Sequence, residues 1–317
     1  MTSLVFGPVP SRRLGHSLGI NNIPPKICTY SCVYCQVGRT MNMQIDRQPF
    51  YKPHDILKAV QKRIEAKRAE GEPVDYVTFV PDGEPTLDIN LKTEIALLKQ
   101  LGTPIAVISN GSLIWNEKVR DDLMEADWVS LKIDAVDEAV WRRVNRPHKR
   151  LNLSAVLEGA LTFSRSFEGT LATETMLAAD VNDGEQNLRQ VAEFLARLRP
   201  SVAYLSIPTR PPAEQWVYAP DENVVNRAYQ ILKTRVEHLE YLTGYEGEAF
   251  ASTGNIQEDV LSITAVHPMR EEAIGTLLQR VGSDWAVIDQ MVAANQITPA
   301  QYEGHKYYVR RFKKKTG

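Results

Sequence analysis

The 317-residue chain is 43% hydrophobic and 24% charged, with a formal charge of −2. This is the composition of an ordinary globular protein with no global pull toward nucleic acid. No apolar run approaches the roughly 18 residues of a membrane span. The opening MTSLVFGPVPSRR also lacks the pattern of an export leader, so a cytoplasmic protein with no membrane partner is expected.

Short apolar runs at 17–20, 74–80, 104–109, 128–134, 170–177 and 202–207 read as strands. Helical patterns lie between them. Over 55–66, Ile56, Val60 and Ile64 recur on one face, and over 187–199 Leu188, Val191, Leu195 and Leu198 do the same. Alternating strands and helices predict a parallel sheet covered by helices. Six such units fit a partial (β/α)6 TIM-like barrel; a doubly wound sheet is the competitor. After a helix at 221–238 the rhythm breaks. Helices are expected at 257–267, at 269–281 opened by Pro268, and at 284–296 capped by Ser283, followed by a hairpin turning at Glu303–Gly304. The division expected is a barrel over 1–250 and a small winged-helix-like domain over 251–317.

All three cysteines fall inside KICTYSCVYCQ, as Cys28, Cys32 and Cys35. Thiolates this close suit a soft metal or an iron–sulfur cluster. A structural zinc site needs four ligands; no second CxxC exists, and only distant His16 or His54 could serve. Three thiols without a fourth ligand suit a cluster with one iron left open.

CTYSCVYC resembles the CxxxCxΦC signature of the radical S-adenosylmethionine (SAM) superfamily, with Tyr34 at the aromatic position. The resemblance implies a [4Fe-4S] cluster on Cys28, Cys32 and Cys35, with SAM chelating the open iron. It further implies reduction by a low-potential donor such as flavodoxin or ferredoxin. SAM would then be cleaved to methionine and a 5′-deoxyadenosyl radical that takes hydrogen from a substrate. PDGEPTLD resembles the superfamily's GGE motif, with Asp82, Gly83 and Glu84 in the matching places. A carboxylate there could accept from the methionyl ammonium, and glycine lets backbone approach a ligand. Asn110 in ISNGSL, and Ser130, Lys132 and Asp134 in SLKID, are the other candidates for SAM. The last three share a face by the period-two rule. On the next strand either Thr173 and Thr175 or Glu174 and Met176 face inward.

The head FGPVPSRRLGHSLGINN and the run through WRRVNRPH resemble the branch that includes the wybutosine-synthesis enzymes of transfer-RNA modification. Those enzymes carry further cysteines for a second cluster; this chain has none left over. The substrate class stays open between RNA, peptide and metabolite. Arg12, Arg13 and His16 form one basic stretch; Arg142, Arg143, Arg146, His148, Lys149 and Arg150 form another. Either could clamp an anion at the barrel mouth, and the second equally suits a solvated helix end. The alternative function is a cluster-bearing redox regulator. Against that, the third C-terminal helix offers no Arg or Lys, and the cations Lys306, Arg310, Arg311 and Lys313–Lys315 lie on the hairpin and tail. Contact with nucleic acid or peptide through this domain is the remaining expectation.

Overall fold

The computed structural model describes residues 3–242, 255–264, 268–302 and 304–311. Strands β1 (Val5–Ser11) and β2 (Gly15–Ile20) form an antiparallel hairpin. A small parallel pair follows, β3 (Ile27–Cys28) with β4 (Asn42–Met43). Then come β5 (Tyr76–Phe79), β6 (Ile105–Ser109), β7 (Trp128–Lys132), β8 (Thr170–Met176), β9 (Val202–Ser206) and β10 (Leu239–Leu242). The large sheet runs β1-β2-β5-β6-β7-β8-β9-β10, parallel from β2 onward and open between β1 and β10. It is a curled half-barrel, the partial TIM-like barrel expected.

Helices make the crossovers: α1 (Pro53–Ala69), α2 (Leu91–Lys99), α3 (Glu117–Leu123), α4 (Glu138–Asn145), α5 (Leu153–Ser166), α6 (Glu185–Leu198) and α7 (Glu222–Lys233). Their apolar stripes, including Ile56, Val60, Ile95, Val191 and Leu195, bury against Leu18, Val77, Val107 and Val129 of the strands. Alternation sends the other set inward. Trp128, Ala106, Ala172, Tyr204 and Leu242 form a small apolar floor, and polar side chains crowd the strand ends above it.

Six strands were expected; β1 and β10 add one at each edge. Pro8 and Pro10 argue against β1 as a central strand, and an edge position tolerates them. β10 emerges from the end of the expected helix 221–238, which stops at Lys233. Gly19 has Phe6 packed onto it: a Cβ there would lie 2.0 Å from the ring.

Beyond 255 lie α8 (Ile256–Thr264), β11 (Met269–Arg270), α9 (Glu271–Val281), α10 (Trp285–Ala293), β12 (Ile297–Tyr302) and β13 (His305–Arg310). The three strands pair antiparallel in the order β11-β13-β12. Val260, Ile263, Ile274, Leu277, Ile288 and Met291 form a separate core. Pro268 precedes a strand and does not open the second helix. Asp284, not Ser283, caps α10, because its carboxylate reaches the Ala286 amide at 2.9 Å. The expected boundary at 250/251, the hairpin residue Glu303 and Lys313–Lys315 lie outside the described residues. No described helix is long and apolar enough to cross a membrane.

Candidate functional site

The ends of the parallel strands open on a cavity of about 310 Å³, lined by Cys28, Cys32 and Cys35 together with Arg13, Lys132, Glu174 and Arg210 among others. The cysteine loop starts on β3, where Cys28 pairs with Met43 of β4. It turns tightly at its end, with Cys35 N donating to Cys32 O at 3.1 Å. Amide nitrogens approach two sulfurs: Asn110 Nδ2 lies 3.5 Å from Cys28 and Asn145 Nδ2 3.4 Å from Cys32. Burial, reinforced by Asp134 and Cys35, pushes the Cys32 thiol up to about 12. Burial also raises Cys28, with Glu84 adding to it, and Cys35, with Asp82 adding to it. Such thiols stay neutral unless a metal replaces the proton. Among the described residues no three His, Cys, Asp or Glu side chains converge as one ion requires. Three cysteines lining one cavity fit a cluster, where each thiolate takes its own iron.

The PDGE segment leaves β5, lines the same cavity and bonds to this loop. Lys26 N donates to Asp82 O at 2.7 Å and Glu84 N to Ile27 O at 3.1 Å. A Cβ on Gly83 would lie 2.0 Å from Ile27 O, so the glycine admits the cysteine loop's own backbone. Buried Asp82 pairs with Lys26 at 3.0 Å; burial lifts its carboxyl to about 6 against the lysine's pull. Glu84 is fully buried, and burial raises its carboxyl. Its Oε1 accepts from Thr86 N, Thr86 Oγ1 and Ser109 Oγ at 3.1, 2.6 and 2.8 Å, and its Oε2 accepts from Asn110 N at 2.8 Å. The first partners of Glu84 are therefore the chain's own donors. Asn110 also reaches Thr29 Oγ1 at 2.8 Å, joining the end of β6 to the cysteine loop.

Along SLKID the shared face divides into three roles. Ser130 is buried and does not line the cavity. Lys132 does, with its Nζ 2.5 Å from Glu174 and 5.6 Å from the centre of the Tyr34 ring. Asp134 is a buried bracket: Oδ2 accepts from Tyr34 Oη and from Asn145 Nδ2 (2.7 Å), and Oδ1 accepts from Met176 N (2.8 Å). Tyr34 thus turns its hydroxyl to the scaffold while its ring faces the cavity.

Glu174 and Met176 are the inward pair on β8. Arg13 Nη1 reaches Glu174 Oε2 at 2.6 Å, and Ser206 Oγ donates to Oε1 at 2.9 Å. Burial works to raise this carboxyl, but Lys132 and Arg13 hold it down to about 2. Glu174, Ser206 and Arg210 were not among the expected site residues. TLATETM carries polar groups on both faces, so only the sheet's curvature reveals which set points in. The basic stretches part company as well. Arg12 and Arg13 line the cavity. His16 pairs with Asp75 outside it. The basic residues of WRRVNRPHKR do not line it either: Arg142 pairs with Glu138, Arg146 with Glu214, and Arg150 with Asp46.

The family profile described as Radical SAM superfamily matches residues 22–195. A UPF0026 protein of Methanocaldococcus jannaschii is 46% identical over 313 residues, covering 98% of this chain and 97% of the relative. A radical SAM methyltransferase from Sphaerobacter thermophilus superposes with a TM-score of 0.53 at 16% identity, over 72% of this chain and 66% of that one. A structure of TYW1 with a lysine-pyruvate adduct bound gives 0.51 at 18% identity, over 69% and 74%. At these identities the two structures speak to the fold.

Proposed function

The chain belongs to the radical SAM superfamily, and from that premise we propose that Cys28, Cys32 and Cys35 hold a [4Fe-4S] cluster whose fourth iron receives SAM within the cavity. When bound, this pair supplies one-electron cleavage of SAM to a 5′-deoxyadenosyl radical. The chain's residues bind, orient and exclude water. Asp82, Gly83, Glu84 and Asn110 brace the cysteine loop against the ends of β5 and β6. Asp134 holds Tyr34 and Asn145, and Asn145 in turn reaches Cys32. Lys132, Arg13 and Glu174 offer charged groups of both signs to SAM and substrate.

The observation that carries this reading is that all three cysteines line one cavity, which continues along the strand ends. The substrate is an RNA, peptide or metabolite held there, and a flavodoxin or ferredoxin supplies the electron. The C-terminal unit is read as winged-helix-like from its element order and three-stranded sheet. A DNA-reading regulator is disfavoured because α10 carries no Arg or Lys. The test is anaerobic reconstitution with iron and sulfide, then dithionite and SAM. Release of 5′-deoxyadenosine with iron bound supports the assignment; stoichiometric zinc and no cleavage defeat it.

A further inference from the structure

The cysteine loop has an outer side as well as a cavity side. On the outside, the β3–β4 ladder sets Met43 in register with Cys28, and Gln44 N donates to Cys28 O at 3.1 Å. Met43 and Met41 are 36% and 53% exposed. Across the loop, Tyr30 bridges Pro147 and His148 N donates to Thr29 O at 2.9 Å. These bonds lay segment 146–150 against the loop, with Arg146, Lys149 and Arg150 exposed. Arg39, from the cysteine segment itself, is 68% exposed. Arg39 and Arg146 meet on the two oxygens of Glu214 at 2.7 and 2.5 Å, and Arg150 reaches Asp46 at 3.2 Å. Trp216, 48% exposed, lies 6.0 Å from the Arg146 guanidinium. Arg39 and Arg146 therefore share a buried Glu214 and Arg150 faces Asp46, so four exposed cations are set against two carboxylates, with exposed Trp216 beside Arg146.

The geometry points to this face as the docking site of an acidic, low-potential one-electron carrier protein of the flavodoxin or ferredoxin kind. The inference rests on the cluster assignment above. One electron leaves the reduced carrier and enters the cluster through the Cys28 side; no bond forms and no proton moves. Electron-transfer encounters use small interfaces. Excess charge of one sign speeds and orients such encounters, while arginine and methionine are favoured where surfaces meet. The outer face matches these needs, and the cavity stays free for substrate.

The test uses the reconstituted holoprotein and the double variant Lys149→Glu/Arg150→Glu, both positions being exposed and outside the cavity. Bleaching of cluster absorption by reduced flavodoxin is followed by stopped flow, and flavodoxin affinity by calorimetry. The variant is expected to slow bleaching about tenfold, weaken the affinity and flatten its salt dependence. The final extent of reduction by excess dithionite should be unchanged. An unaltered flavodoxin rate overturns the proposal. Loss of RNA retention with the flavodoxin rate intact overturns it too, marking the face as a phosphate binder. Absence of bound iron and of visible absorption after reconstitution of the wild type removes the cluster assignment and this proposal together, a separate signature.

Discussion

At the scale of single residues, the three cysteines are a local feature, and their chemistry depends on donors from far along the chain. Asn145 reaches Cys32 from 113 residues away and Asn110 reaches Cys28 from 82. Cys32→Ala is expected to prevent cluster assembly, read as loss of visible absorption and of bound iron. Glu84→Gln keeps the shape but turns one acceptor into a donor facing Thr86, Ser109 or Asn110. A loss of about 1–3 kcal/mol in urea denaturation is expected. Glu174 offers a pH test with a defined sign. Its folded pKa of about 2 lies below the ordinary 4.5, so its contribution is present above pH 4.5 and disappears as pH falls toward 2. The wild type should lose up to about 3 kcal/mol over that window. Glu174→Gln should show a flatter acid limb in the same titration.

At the scale of elements, the six central strands were legible because each is a short apolar run bounded by turns and helices. The edge strands were not. β1 carries two prolines, and β10 follows directly on a stretch read as helix through 238. Two glycines show how tightly the elements meet. Gly19→Ala would drive a methyl into Phe6, and a loss of about 1–3 kcal/mol is expected. Pairing it with Phe6→Leu should recover part of that loss. Gly83→Ala meets rigid backbone at Ile27 and cannot be relieved by a side-chain move. It should release the cysteine loop, read as faster amide exchange at residues 26–30 and as poor iron uptake. Three such expected groups, Glu84, Asn110 and Asp134, prove to join elements through their own hydrogen bonds. Sequence position marks such residues as special without showing whether they face ligand or scaffold.

At the scale of the whole molecule, the C-terminal unit is tied to the barrel beside the cavity. Tyr302 Oη donates to Pro208 O at 2.8 Å and Tyr307 Oη to Thr209 O at 2.9 Å, and Arg280 pairs with Glu72. The next residue, Arg210, lines the cavity and holds Gln36 of the cysteine loop at 2.8 Å. Tyr302→Phe and Tyr307→Phe together should cost about 2 kcal/mol and shift SAM affinity by calorimetry, if this unit helps set the Arg210 loop. An unchanged affinity would confine the unit to a separate role.

By itself, the sequence determined the superfamily, the alternating architecture and the clustering of the three thiols, because each is written in local spacing: eight residues for the thiols, period two for strands, 3.6 for helices. Only the tertiary structure decided which basic stretch enters the cavity, which face of β8 points inward, and that Glu174 joins Arg13 to Lys132. Those outcomes depend on curling eight strands into a half-barrel, and the curvature is a sum over the whole sheet that no single stretch encodes.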